Sequence, residues 1–407
     1  MNRPLHASTI TCLFGTGSAT RICFLTSCIL LLATLANVSR AQDSIDTASR
    51  DRSFEYSLAP KDLETDWRVT GCRIEQTDAG WRLAEGDGFV HLPHRLNDFE
   101  LSFEFRPEKD EGWDSGLYFR CELPSGKSPW PKRYQVNLRE GQEGRLLGIP
   151  DADVSQELVR VGDWNQLRIR VIGKRASLWM NGTLAWEVDS LEPLSGYVGI
   201  QSEVPLGGSF EFRDFVVREI GSQSMFDGES LEGWTPVDGN KNESWQVDSQ
   251  QLICTGAKGS WLRFDEQQGN FNMRLEYQLR EAGNSGVYIR VPADGNHHGP
   301  QSGIEVQILD DAAERYSELK PYQYSGSLYA IVPAKPRVSR AAGQWNQLEI
   351  DAQGKSYRVW HNGQLIIDAE AANVDALNER LTEGFLGLQN HSERVAFRRL
   401  RLAPSNQ

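Results

Sequence analysis

Apolar and polar side chains alternate along most of this chain. In DFELSFEFR, residues 98–106, Leu101, Phe103 and Phe105 fall on one side and Glu100, Ser102 and Glu104 on the other. In NFNMRLEYQ, residues 270–278, Met273, Leu275 and Tyr277 oppose Arg274 and Glu276. A period of two is that of an extended strand with one face buried and one wet, the usual state of an antiparallel sheet. Asn181-Gly182 and Asn362-Gly363 sit between such runs and predict tight hairpin turns, because Asn and Gly most readily take positive φ. The single segment with helical character, residues 371–380, is short. Strands broken by turn signals every 8 to 12 residues or so predict an all-β chain of sandwich or jelly-roll type.

The pattern then repeats. DSGLYFR (114–120) answers NSGVYIR (284–290), GDWNQLRIR (162–170) answers GQWNQLEID (343–351), GYVGIQS (196–202) answers GFLGLQN (384–390), and FEFRDF (210–215) answers VAFRRL (395–400). A repeat this long is a whole domain with its own core rather than a solenoid unit. The expected division is a leader over 1–41, a solvated spacer over 42–52, a first sandwich over 53–219 and a second over 222–404, with EIGSQS (219–224) as a short polar linker. Trp164 and Trp345, shared by both copies in GxWNQL, are expected as core anchors.

Charge and cysteines narrow the classes. With 43 Lys and Arg against 56 Asp and Glu, the net charge of −13 argues against nucleic acid or an anionic membrane as partner. The apolar run 22–36, preceded by Arg21 and followed by Ser39-Arg40-Ala41, reads as a signal peptide cleaved before Gln42. That predicts an exported protein, periplasmic or extracellular, with no membrane attachment after cleavage. Cys72, Cys121 and Cys254, the three cysteines that remain, are scattered and lack zinc spacing, so they read as small buried side chains. No dinucleotide fingerprint, P-loop, HExxH or GxSxG arrangement is present, and no organic cofactor is expected.

MFDGESLEGWTPV (225–237), GNSGVYIR (283–290), SGIEVQILD (302–310), SGSLYAIVPA (325–334), AGQWNQLEI (342–350) and GFLGLQNH (384–391) together resemble the 3-keto-disaccharide hydrolase domain, a sandwich of the concanavalin A-like lectin and glucanase type. The first copy resembles it more loosely and lacks the FDG opening. The resemblance implies a carbohydrate substrate, a glycoside whose ring carbon 3 is a ketone, cleaved by elimination or net hydrolysis. A separate oxidoreductase would have to supply that ketone. The alternative is a lectin-like protein that binds glycans without cleaving them, since one fold serves both.

A C3 ketone acidifies the hydrogen on C2, so a site needs a base there, a donor or cation at O3, and an acid for the leaving oxygen. In SGIEVQILD, Ile304, Val306 and Ile308 share one face and Glu305, Gln307 and Leu309 the other. Glu305 is the first candidate, as base or metal ligand, and Gln307 beside it as a substrate contact. His391, in the LQNH match, is the candidate acid, base or ligand. Glu305, Asp310 and His391 are the set that could hold a divalent ion, while Asp311 reads as a turn cap. Asn284, Ser285 and Tyr329 offer sugar contacts, and Arg290 could brace Glu305 across the sheet. Gly286 is expected to relieve crowding. His297 and His298, adjacent and expected to point apart, read as part of a polar loop. Of Tyr322, Tyr324 and Tyr329 some would stack on sugar, and Trp113 and Trp130 are the first copy's candidates for the same work. Where the second copy has Glu305/Gln307, the first has Gln135/Asn137/Arg139, so the carboxylate is confined to the second.

Overall fold

Each alternating strand has one apolar face to cover, and each half of the chain covers it with its own second sheet. The structure, a computed structural model, describes residues 52–154, 158–237, 241–258 and 261–405. The leader and the spacer up to residue 51 lie outside the described residues. One apolar core gathers residues from Phe54 to Val217 and another gathers residues from Met225 to Leu402. Phe99, Leu101, Phe103 and Phe105 are all buried in the first, and Met273, Leu275 and Tyr277 in the second, as the period-two pattern requires. The described chain is all-β, two antiparallel sandwiches in tandem. No described helix is long and apolar enough to cross a membrane.

In the second sandwich, one sheet is ordered 245–248, 251–255, 394–403, 271–279, 345–353, 356–361 and 364–370. The facing sheet is ordered 234–236, 262–268, 384–388, 284–291 and 304–309. In the first sandwich the long strand Trp81–His91 joins both layers: Trp81 and Arg82 pair with 211–212, and 86–91 pair with 199–204. Asn181 and Asn362 take φ of 49° and 50° in their hairpins. Each also donates its side-chain amide to a loop carbonyl, Leu158 and Val338 respectively, both at 2.8 Å.

Three expectations change. Trp164 and Trp345 are half-buried on the outer face, Trp164 beneath Arg213 at 4.0 Å and Trp345 beneath Arg398 at 4.2 Å. The next residue is the inward one: Asn165 and Asn346 are buried and bond the chain just upstream, through Arg160 and Arg340. Residues 371–380 form only a 3-10 turn, Asp375–Leu377, with Leu377 its one buried side chain, too little apolar surface to hold a helix. The polar linker is buried at its first residue. Glu219 is buried, 2.7 Å from Arg401 and 2.9 Å from Arg274, and Arg274 continues to Glu349 at 3.2 Å. Alongside, Glu276 is held by Arg398 at 2.7 Å and Arg399 at 3.0 Å, and Arg399 also pairs with Asp66 of the first sandwich. The two sandwiches therefore meet through a buried network of charges.

Cys72, Cys121 and Cys254 are free thiols, and burial pushes each up, to about 11, 12 and 11. They carry no nucleophile.

Candidate active site

The strands 284–291 and 304–309 lie side by side, with Gly286 opposite Gln307 and Tyr288 opposite Glu305. Val287, Ile289, Ile304, Val306 and Ile308 fill the core, so Asn284, Gly286, Tyr288, Glu305, Gln307 and Leu309 face the other way. That outer face floors a cleft of about 310 Å3, walled by His297, His298, Tyr316, Leu319, Gln323, Tyr329, Gln389 and His391. The volume falls in the range of small-molecule sites.

At its centre Glu305 is buried, and its Oε2 lies 3.1 Å from Nε2 of His297. The other ring nitrogen, Nδ1, lies 3.1 Å from the carbonyl of Gly295. Both partners can accept, so both ring nitrogens are placed to donate. Burial works against a charge on the ring, but the hydrogen bond and the charge of Glu305 outweigh it and hold His297 above its ordinary range. The ring also stacks on Tyr288 with centroids 4.5 Å apart. Burial, and after it the neighbouring His297, push His298 below its ordinary value.

Gly286 is required by this arrangement. A Cβ there would stand 2.4 Å from Oε1 of Glu305. Arg380 carries the loop that delivers His297: its guanidinium donates to the carbonyls of His297 at 3.1 Å and Gly303 at 3.0 Å. The connection 371–383 that bears Arg380 is tied to the same loop through Gln301 N to Glu379 O at 2.8 Å and Leu381 N to Ser302 O at 3.0 Å.

The structure brings Glu305, Gln307, Asn284, Tyr329 and His391 to one cleft, with His391 on its exposed rim. Gln307 donates to Asn284 Oδ1 at 3.2 Å, and Tyr329 N donates to the Glu305 carbonyl at 2.8 Å. Ser285 is not there. It alternates inward, is fully buried and donates its hydroxyl to the Gln389 carbonyl at 2.8 Å. Arg290 is not there either and does not touch Glu305. With φ of 52° it turns away and donates Nε to Gly269 O at 2.8 Å, with Nη1 on Gly354 O and on the Tyr357 hydroxyl, tying the strand end to a hairpin of the opposite sheet. Asp310 accepts from Ala282 N at 2.8 Å and braces the turn before Asn284. Glu305, Asp310 and His391 therefore do not converge, and no group of three or more His, Cys, Asp or Glu side chains among the described residues is placed to hold a metal ion. Asp311 is the turn cap expected of it, accepting from Ser325 N at 2.9 Å and Ser339 Oγ at 2.8 Å.

Tyr324 is buried beneath Arg337, and Tyr322 lies beside Lys320, so Tyr329 alone of that trio lines the cleft. His297 and His298 lie on a loop, as expected, but their rings do not point apart: the centroids lie 3.9 Å apart over the cleft. Tyr288 and Gln389 were legible from alternation around Gly286 and Leu388. Tyr316, Leu319 and Gln323 arrive through loops and carry no such signal.

The first sandwich keeps the frame and changes the chemistry. Gly116 faces Gln135, and a Cβ on it would meet Gln135 Nε2 at 2.4 Å. Tyr118 donates to Gln135 Oε1 at 2.8 Å, the Gln135 amide bonds Gln201 Oε1 at 2.5 Å, and Gln201 Nε2 bonds Glu203 Oε2 at 3.0 Å. Trp130 packs into the cluster of Phe89 and Tyr118, its indole donating to Ser202 O at 2.9 Å. Trp113 is buried against Phe210 and offers no face to sugar.

The chain is similar to a 3-keto-disaccharide hydrolase of Bacteroides thetaiotaomicron, 24% identical over 44% of this chain and 77% of that one. It is also similar to the crystal structure of a candidate glycosyl hydrolase from Parabacteroides distasonis, with a TM-score of 0.40 and 23% identity over 45% of this chain and 98% of the other. The catalytic domain of an endo-1,3-beta-glucanase from Thermotoga petrophila aligns with a TM-score of 0.31 and 12% identity over 46% and 97%. Residues 59–218 and 221–403 each match the 3-keto-alpha-glucoside-1,2-lyase-like domain, and the chain belongs to that family of carbohydrate-cleaving enzymes, carrying its domain twice.

Proposed function

We propose that the second sandwich cleaves 3-keto-glycosides, with Glu305 as the base that removes the C2 proton. The observation that carries this reading is the buried Glu305–His297 pair at 3.1 Å on the cleft floor. Because both nitrogens of His297 are placed to donate, the ring is not placed to accept the proton. Its work is to hold Glu305 in position through Oε2, leaving Oε1, on the Gly286 side, to take the proton from C2.

The electron pair of the C2–H bond moves into an enolate whose charge rests on O3. His298, in the cleft wall, is the nearby N–H donor for that oxygen. Collapse of the enolate forms the C1–C2 double bond and breaks the bond from C1 to the leaving oxygen. His391, on the rim, gives that oxygen its proton. Addition of water at C1, its proton passing to the His391 nitrogen that gave one to the leaving oxygen, and return of the proton from Glu305 to C2 complete a net hydrolysis; release before that step is elimination. The ketone is the product of an earlier oxidation by another enzyme.

The test is release of the leaving sugar from a 3-keto-disaccharide by the full chain, beside the unmodified disaccharide. Turnover of the keto substrate alone, lost in Glu305→Gln, is expected. Equal cleavage of both sugars, or an unimpaired Glu305→Gln, overturns the reading.

A further inference from the structure

The first sandwich also has an opening whose lining includes none of Tyr118, Gln135 and Gln201, the residues at the place of the cleft. It is a groove of about 620 Å3 between residues 122–133 and the turn at Glu192-Pro193. Its origin is a shortened connection. In the second sandwich residues 371–383 link the strands 364–370 and 384–388, and Arg380 fills the space against the loop 292–303. In the first, residues 189–196 make the same link with a shorter segment and no counterpart of Arg380. The space stays open, with Leu123, Pro124, Trp130, Pro131 and Pro193 as its apolar lining.

Two further observations give the groove a chemistry. At its base lies Arg120, a side chain 1% exposed that occupies the place of Arg290. Nε of Arg290 is satisfied by a carbonyl, whereas Nε of Arg120 has no partner among the described residues. At its mouth Glu122 and Glu192 are already neutralised, Glu122 by both arms of Arg95 at 2.8 Å and Glu192 by Lys174. Lys132 and Arg133, both exposed, are paired with no carboxylate among the described residues. On a chain with a net charge of −13, this is a local cationic groove with an apolar wall.

We propose that this groove binds an acidic saccharide, a pyranose ring whose apolar face lies on the Trp130 and proline wall and whose carboxylate is held by Lys132 and Arg133. A pyranose presents C–H groups on one face and polar groups at its edge, which matches a half-buried indole beside two cations with no carboxylate partner among the described residues. The choice of a sugar rests on the family's carbohydrate substrates and is independent of the chemistry proposed for Glu305. The first sandwich then tethers the protein to an anionic glycan while the second works on a different ligand.

Calorimetric titration of the full chain with a linear trimer of galacturonic acid, beside neutral maltotriose, tests this. The acidic trimer is expected to bind at least about tenfold more tightly, with affinity falling as salt rises. Lys132→Glu with Arg133→Glu, both on exposed side chains, should abolish that preference and leave turnover by the second sandwich unchanged. Trp130→Ala should weaken binding too, but its indole also bonds Ser202, so the charge reversal decides. Equal binding of the two trimers, no binding at millimolar concentration, insensitivity to the charge reversal, or displacement by benzoate as effective as by galacturonate would each overturn the proposal.

Discussion

The two sandwiches hold the same frame around opposite centres. In the first, Gln135 sits under Tyr118 and closes a chain of neutral amides from Gln135 to Gln201 and on to Glu203. In the second, Glu305 sits under Tyr288, and the loop above delivers His297 to it at 3.1 Å. Exchanging a carboxamide for a carboxylate removes a donor and adds a charge, and a buried charge must be paired. The difference is therefore two coupled changes, the acid and the loop that neutralises it. The longer connection carrying Arg380 makes the second change stick by tying that loop down.

The hardest blow to this contrast is Glu305→Gln, which gives the second sandwich the first one's side chain. Turnover of a 3-keto-disaccharide should fall by about 10^2- to 10^4-fold. The converse, Gln135→Glu placed in that inactive chain, should restore nothing, because Trp130 packs against Tyr118 and no imidazole is supplied. Recovered activity there would show that the acid alone separates the copies.

The junction asks whether the halves are independent. Glu219→Ala would leave Arg274 and Arg401 buried without their partner, at a cost of about 3 to 5 kcal/mol, read as a loss of stability of the full chain in urea. An unchanged midpoint would mean that the charge network does not bind the two sandwiches.

Gly286→Ala should keep the fold and lower turnover by about 10^2-fold, since its Cβ would displace Glu305 Oε1 from 2.4 Å away. Gly116→Ala, crowding Gln135 at the same distance, should leave turnover untouched. His297→Gln removes the ring that holds Glu305 Oε2 at 3.1 Å, so kcat/KM for the keto substrate should fall by about tenfold or more while the urea midpoint of the full chain stays in place.

The smallest effect is on stability against acid. Burial holds His94 down at about 4 and His361 at about 3, below their ordinary value of 6.5, and these rings enter the fold neutral. As pH falls below 6.5 the unfolded chain takes up protons that the folded chain refuses, so stability declines from there toward pH 4. Glu276 has the depressed carboxylate pattern: burial opposes its charge, but Arg399 and Arg398 bring it down to about 2. Its contribution is present above 4.5 and is lost as pH falls from 4.5 toward 2. Thermal midpoints flat from pH 7 to 4 would contradict the first window.

The sequence by itself determined the two-sandwich architecture, the faces of the strands and the placement of Glu305, because a period of two leaves one choice for which residues meet the core. Gln307 followed from the same alternation, and Asn284, Tyr329 and His391 from the motifs around them. It could not determine what a strand end or a loop does. Ser285 turned inward by one step of the pleat, and Arg290 was redirected by a positive φ that strand alternation does not contain. Asp310 went to a local turn, and Trp164 and Trp345 moved outward because Asn165 and Asn346 took the inner positions. The pairing of His297 with Glu305 was decided by tertiary structure alone. It depends on a loop held by Arg380, dozens of residues further along the chain, and an interaction between segments so far apart leaves no periodic trace in either of them.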